Sequence, residues 1–520
     1  MSKATQHPAS WTLAPIEAVA DLNPRSFSAL PGAESRTVHF VPMAAVSEEF
    51  GGIDVSRCRP LGDVRKGYSS FVASDVLFAK ITPCMENGKI ALVPALANHI
   101  AYGSTEFHVL RPNEAVEPKW LAYFLSQRTF REFARRNMTG SAGQMRVPTS
   151  WLSTAQVPIA PRAEQTRIVE KLEELLSDLD AGVAELKAAQ KKLALYRQSL
   201  LKAAVEGALT AGWRAQRAAR GEPHETGADL LARILTERRA RWEARQLAKF
   251  EEQRKAPPKG WEAKYPEPMQ PDTADLPELP EGWVWASVDQ LSEIQGGIQK
   301  QPSRAPKENK FPFLRVANVH RGNLKLDEVH EIELFKGELE RLMLQVGDVL
   351  IVEGNGSLSE IGRCALWDGS IPKAVHQNHL IRVRPIGVQG AFIEAWLNSV
   401  RGIDRITALA ATTSGLYTLN ISKISKVPVP VPPHDEQALL LKLLQERIQD
   451  YNQQEAAVKF GLKQATAQRK NLLKAAFSGQ LVPQDPDDEP ASALLARIRA
   501  EREERVSSDP ARRKRRSAHA

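Results

Sequence analysis

The sequence predicts an α+β protein made by internal duplication: two mixed α/β domains joined by two long antiparallel coiled-coil helices, with pseudo-two-fold symmetry. Three observations predict it. The stretch VPIAPRAEQ at Val157 is echoed by VPVPPHDEQ at Val429. The same interval carries Trp11 (SWTLAPIEAV) onto Trp283 (GWVWASVDQL) and Ser199 (SLLKAAVEGALT) onto Asn471 (NLLKAAFSGQLV). An apolar seam follows each echoed Glu-Gln pair. An offset held over such distances marks duplicated architecture rather than chance. At an interval one residue longer, DVLFAKITPCMENGKIALV from Asp75 aligns with DVLIVEGNGSLSEIGRCALW from Asp348, and at one eight residues shorter LLARI at Leu230 returns at Leu494.

The first domain spans residues 1–160 and its copy 281–433. Short β-branched runs at 74–81, 107–110, 348–352 and 379–385, bounded by Gly, Pro and Asn, read as strands. PKWLAYFLSQRTFREFARR (118–136) and GAFIEAWLNSVRGIDRI (390–406) read as amphipathic helices at matching places, their apolar faces covering the sheets. A polar, glycine-bearing loop follows each: RRNMTGSAGQMRVP, then ALAATTSGLYTLN.

The long helices occupy 161–207 and 434–479. Steps of four and three residues from Ile168 through Leu172, Leu175, Leu179, Gly182, Leu186, Ala189, Leu193, Tyr196 and Leu200 to Ala203 trace a 3.5-residue seam. Leu441, Leu444, Ile448, Tyr451, Val458, Leu462, Ala465, Leu472 and Ala476 trace the second, interrupted by Glu455 and Arg469. Prolines forbid an earlier start, and Gly207 and Gly479 stand where the helices should end. Each is then about 43 residues, ~65 Å long. Such a seam needs a partner. The other copy is the nearest one, and packing on its own domain is the alternative.

Residues 208–280 form a basic helical extension and a Pro-rich linker, and 480–520 a second extension ending in a tail, RRKRR at 512–516, that reads as disordered. The duplicated LLARI segments suit either ordinary exposed helices or docking of two identical partners.

At 520 residues the chain has room for more than one core. Cys58, Cys84 and Cys364 lie too far apart for a disulfide framework or a CxxC zinc site, which fits a reduced cytoplasm. No stretch approaches the roughly 18 apolar residues of a membrane span, so no membrane partner is expected. A net charge of +8 leans towards an acidic partner such as nucleic acid. Catalytic motifs are missing. There is no Asn/Asp-Pro-Pro-aromatic loop, since Asn23-Pro24 continues as Arg25-Ser26, and no GxxxxGK[ST] loop or nuclease metal pattern. EGNGSLSEIG reads as a turn rather than a nucleotide loop.

The order of variable domain, Pro161 with Glu164-Gln165, long helix, variable domain, Pro433 with Glu436-Gln437, long helix resembles the specificity subunit of a Type I restriction-modification system over nearly the whole chain. The LLKAA segments at Leu200 and Leu472 and the loop TGSAGQMRVP belong to the likeness, whereas TTSGLYTLN departs from it. The resemblance implies two target-recognition domains, each reading half of a bipartite, gapped target on double-stranded DNA, and a helical rod that spaces them. It implies two methyltransferase subunits and a restriction-translocase subunit as partners. No cofactor is expected on this chain, with S-adenosylmethionine on the methyltransferase and ATP and Mg on the restriction partner.

Base reading in a major groove calls for polar side chains on a frame that can approach closely, and a rod of this length matches half-sites one or two ~34 to 36 Å turns apart. Thr139, Ser141, Gly143, Gln144 and Arg146 are the DNA-binding candidates of the first domain, and Thr412, Thr413, Ser414, Tyr417 and Asn420 those of the second. Arg146, just before a backbone stiffened by Pro148, is the candidate for guanine. Gln299 and Lys300 in IQGGIQKQPSR and Asn355 and Ser357 in EGNGSLSEIGR are secondary candidates. Each could instead be a solvated loop residue. Two other classes stay open: a tandem coiled-coil scaffold that never meets DNA, and a nucleic-acid adaptor without sequence preference. No catalytic or metal-binding residue is expected.

Overall fold

Each echoed Glu-Gln pair is a buried anchor. Trp11 Nε1 donates to Glu164 at 3.0 Å, and Trp283 Nε1 to Glu436 at 2.9 Å. Gln165 donates to the carbonyls of Ala115 and Ala160 and accepts from the Glu117 amide, while Gln437 accepts from the amide of Gln389. All four side chains are buried, so the repeated punctuation is where a long helix is fastened to its domain. The valine-proline segments before them are strands: Gln156–Ile159 pairs antiparallel with Thr12–Pro15, and Pro428–Val431 with Val284–Ser287.

The computed structural model describes residues 7–24, 34–48, 52–97, 99–141, 143–221, 224–273, 275–358, 360–413 and 416–508. The terminal RRKRR and Ser414 lie outside them. The chain divides into two compact units, residues 1–187 with 459–520, and residues 188–458.

In the first unit a four-stranded antiparallel sheet runs Ala20–Leu22, Phe107–Pro112, Val76–Ala79, Ile90–Leu92. Val76 to Ala79 are all buried, and the pleat divides them. Val76 and Phe78 join a core with Trp120, Leu121 and Leu125 of helix Pro118–Ser126, whereas Leu77 and Ala79 face a core with Val41, Phe71 and Ala101 from a second sheet. That sheet runs Cys58–Pro60, Thr37–Val41, Ala101–Gly103, Ser69–Phe71, with its central pair parallel. A strand covered on both faces reads as an unbroken apolar run, as VLFA does.

The second unit repeats the plan. Ser292–Gly296, Leu380–Pro385, Val349–Val352 and Cys364–Leu366 form the first sheet, and His330–Glu333, Lys310–Leu314 and Val375–His376 the second, again with one parallel pair. Arg111 grips buried Asp75 through two bonds at 2.8 Å, and Arg384 grips buried Asp348 at 2.8 and 2.7 Å.

The amphipathic stretches expected as single helices are each broken in two. Gln127 is extended between Pro118–Ser126 and Arg128–Arg136, and Asn398-Ser399 separates Gly390–Leu397 from Val400–Leu409. Ser399 causes its break by capping the next helix, accepting from the Gly402 amide.

The long helices run Arg162–Val205 and His434–Ala476, and Gly207 and Gly479 follow them with left-handed φ of 72° and 71°, as helix stops require. Within the first unit Asp180 pairs with Arg469 and Leu186 lies against Gly461. Burial departs from the strict seam. Leu176, Leu201, Ala204 and Val205 are buried beside it, while seam residue Tyr196 is exposed. Near its domain core a helix is covered over a wide stripe, so the 3.6-residue period takes over there.

The LLARI helices, Gly227–Glu252 and Ala491–Ser508, pack inward: Leu230 and Ile234 lie in the core of the second unit, Leu494 and Ile498 in that of the first. The Pro-rich linker is also partly fastened, since Trp261 stacks on Trp242 at 5.7 Å and the Met269 amide donates to Asp289.

Candidate nucleic-acid interface

Both candidate loops fold as hairpins on equivalent frames. In the first unit the Thr139 amide donates to the Arg146 carbonyl at 2.9 Å and the Arg146 amide donates back at 2.8 Å. Ile81 bridges antiparallel to Arg146 from the other side, and the Thr82 amide donates to Met145 at 3.0 Å. In the second unit Ala411–Thr413 pairs antiparallel with Leu416–Thr418, which pairs in turn with Gly354–Asn355. Candidates Asn355, Thr412, Thr413 and Tyr417, dispersed in sequence, thus share one three-stranded sheet.

The sheet edge beneath each hairpin is tied identically. The Lys80 amide donates to Glu106 at 2.9 Å, and the Val147 amide to Lys80 at 2.8 Å. In the second unit Glu353 donates to His379 at 3.0 Å, and Leu419 to Glu353 at 2.8 Å. Gln299 and Lys300 are exposed and follow Ile298, whose amide donates to His376 and whose carbonyl accepts from Asn378, next to His379. Ser357 is exposed in the bend after Asn355.

Thr139, Ser141, Gly143 and Gln144 are exposed around the first hairpin. Its turn is tight: a Cβ on Gly140 would lie 2.7 Å from the Gln144 carbonyl. Arg146, the candidate for guanine, is held by Glu106, which accepts from Nε at 2.9 Å and Nη2 at 2.8 Å, while Nη1 donates to the Gln144 carbonyl at 3.2 Å. That guanidinium keeps the Glu106 carboxyl below the usual range. Beneath it His108 is buried, with Nε2 2.8 Å from the Val147 carbonyl, and burial lowers its pKa. Asn420 has a local task, accepting from the Lys423 amide at 2.9 Å as the cap of helix Ile421–Ser425. Tyr417 is half-buried against the second core.

Sequence reading passed over Lys80, Glu106, Glu353 and His379. The repeat held the signal, because the alignment of DVLFAKI with DVLIVEG sets Lys80 opposite Glu353.

Among known proteins, the specificity subunit of the Type I restriction enzyme EcoAI from Escherichia coli is 26% identical over 486 residues, 88% of this chain and 80% of that one. The EcoEI specificity subunit, also from Escherichia coli, is 26% identical over 85% of this chain and 78% of its own length. Several Type I restriction-enzyme specificity subunits thus match this chain over most of its length. No family model matches it. A chain solved in work on complex assembly and conformational transition of the type I R-M system shares this fold, with a TM-score of 0.61 at 18% identity, covering 91% of this chain and 99% of that one. Specificity subunits are the recognition components of these systems, not their catalysts. Among the described residues of this chain, no group of three or more His, Cys, Asp or Glu could hold a metal, and no helix is long and apolar enough to cross a membrane.

Proposed function

We propose that this chain reads a bipartite, gapped sequence on double-stranded DNA, one half-site per domain, for a Type I restriction-modification complex. The observation that carries the reading is the repeated frame: two domains whose first sheets share a strand order each present a polar hairpin on the same pair of backbone hydrogen bonds. In this reading residues 1–160 and 281–433 are the target-recognition domains. The two long helices pair as an antiparallel coiled coil, giving the pseudo-two-fold relation that a split target requires. Two adenine-methyltransferase subunits bind the duplicated helices and supply S-adenosylmethionine chemistry, and a restriction-translocase subunit brings ATP and Mg. The hairpin residues Thr139, Ser141, Gly143, Gln144 and Arg146, with Gln299, Lys300, Asn355, Ser357, Thr412, Thr413, Ser414, Tyr417 and Asn420, are the proposed contact set.

Selection of bound duplexes from a random pool by the full chain assembled with methyltransferase subunits tests the reading. Enrichment of two short motifs at fixed spacing is the expected result. Unselective enrichment, or no binding, would overturn it. Mass measurement at saturation should find two methyltransferase subunits per chain, and a single one would contradict the symmetric arrangement.

A further inference from the structure

The two frames share the same backbone hydrogen bonds and differ in side chains. Lys80, Glu106 and Arg146 of the first domain occupy the places of Glu353, His379 and Thr418 in the second, as the matched amide bonds and hairpin pairings show. All but Thr418 are titratable. The Arg146 and Glu106 side chains are 41% and 28% exposed, and those of His379 and Glu353 are 56% and 30%. A nucleic acid lying on either hairpin can reach them.

Resting on the DNA-reading function above, we propose that these two clusters are equivalent specificity-determining sites of opposite polarity. The first domain presents a guanidinium fork to guanine, with Glu106 as its positioning residue. The second presents the Glu353 carboxylate as acceptor for an exocyclic base amine, cytosine N4.

Donor counting supports the first half. A guanidinium carries five N–H groups. Glu106 takes one from Nε and one from Nη2, and the Gln144 carbonyl takes one from Nη1. One N–H on each terminal nitrogen is left, as many donors as guanine O6 and N7 require. The same bonds restrict a long, flexible side chain to one placement before DNA arrives, which lowers the ordering cost of binding. Glu106 does this at the expense of placing a carboxylate near phosphates, acceptable while Arg146 and nearby Lys80 offset its charge. In the second domain His379 Nδ1 stands 3.4 Å from Glu353. One imidazole engages only part of a carboxylate's four lone-pair directions, so acceptor capacity is left for an amine.

The test is the same duplex selection with variants of the full chain in the assembled complex. Glu106→Gln should lose roughly ten-fold in discrimination at one position of one half-site and leave the other half-site intact. In an Arg146→Ala background Glu106→Gln should change the motif no further, yet it should restore affinity lost by Arg146→Ala alone, because the unneutralised carboxylate is gone. Glu106→Asp, which keeps the pairing charge, should retain the wild-type motif. Glu353→Gln should alter one position in the opposite half-site. Wild-type motifs for both glutamine variants, or loss spread evenly over both half-sites, would overturn the inference while leaving the DNA-reading function standing. Failure of the unmodified complex to select any motif would instead remove the function on which it rests.

Discussion

Replacing Glu394 by glutamine should make the protein more stable at pH 8 and change little at pH 5. Glu394 lies on helix Gly390–Leu397, where Asn398 Nδ2 donates to its Oε1 and to the Cys364 carbonyl. Enclosure by protein pushes its carboxyl from 4.5 up to about 7, against the opposing effects of the Asn398 hydrogen bond and the Arg197 charge. The Cys364 thiol, whose Sγ is 4.0 Å from the Glu394 carbonyl, is pushed up by burial and then by the Glu394 charge. A carboxyl whose pKa is raised on folding holds its proton more tightly in the folded state. Its contribution is therefore most favourable below the unfolded value near 4.5, falls as pH rises towards 7, and is least favourable above. At ~1.4 kcal/mol per pH unit the full effect approaches ~3 kcal/mol, and residual solvent contact reduces it to roughly 2 kcal/mol. Glutamine keeps the acceptor for Asn398 and abolishes the ionisation. Urea unfolding of the full chain and the Glu394→Gln variant at several pH values measures the difference. A stability gap equal at pH 5 and pH 8, or a wild type that is the more stable at pH 8, would refute the reasoning.

Arg111→Ala and Arg384→Ala should each destabilise their own unit by about 3 kcal/mol, because Asp75 and Asp348 would be left buried without a counter-charge; hydrogen exchange of strands Val76–Ala79 and Val349–Val352 would locate the loss. Leu230→Ala and Leu494→Ala should each cost about 2–5 kcal/mol in thermal or urea unfolding, as expected of core positions rather than docking surfaces. A near-neutral result at either leucine would return the LLARI helices to the exposed class.

The legible parts of this protein were those written in local patterns. Proline before and glycine after an apolar period delimit the long helices to within three residues of Arg162–Val205 and His434–Ala476. Unbroken apolar runs mark the central strands, since a strand covered on both faces leaves no polar alternation to confuse it. Even the hairpins were findable as polar loops after paired helices. Less legible were features with no period. The break at Gln127 has neither proline nor glycine to announce it, and the inward face of the LLARI helices could not be told from an exposed one, because amphipathicity says that a stripe is covered but not by what.

By itself, then, the sequence determined that one architecture is used twice, and with it the helix limits, the strand runs and the two Glu-Gln joints, because backbone propensity and apolar periodicity act over neighbouring residues. Only the tertiary structure decided what those joints do and which side chains stand together on the hairpins. Trp11 reaches Glu164, and Glu106 takes hold of Arg146, across long stretches of chain. Such partnerships follow from strand register, and a shift of one residue would turn every side chain to the opposite face, so no local pattern can specify them.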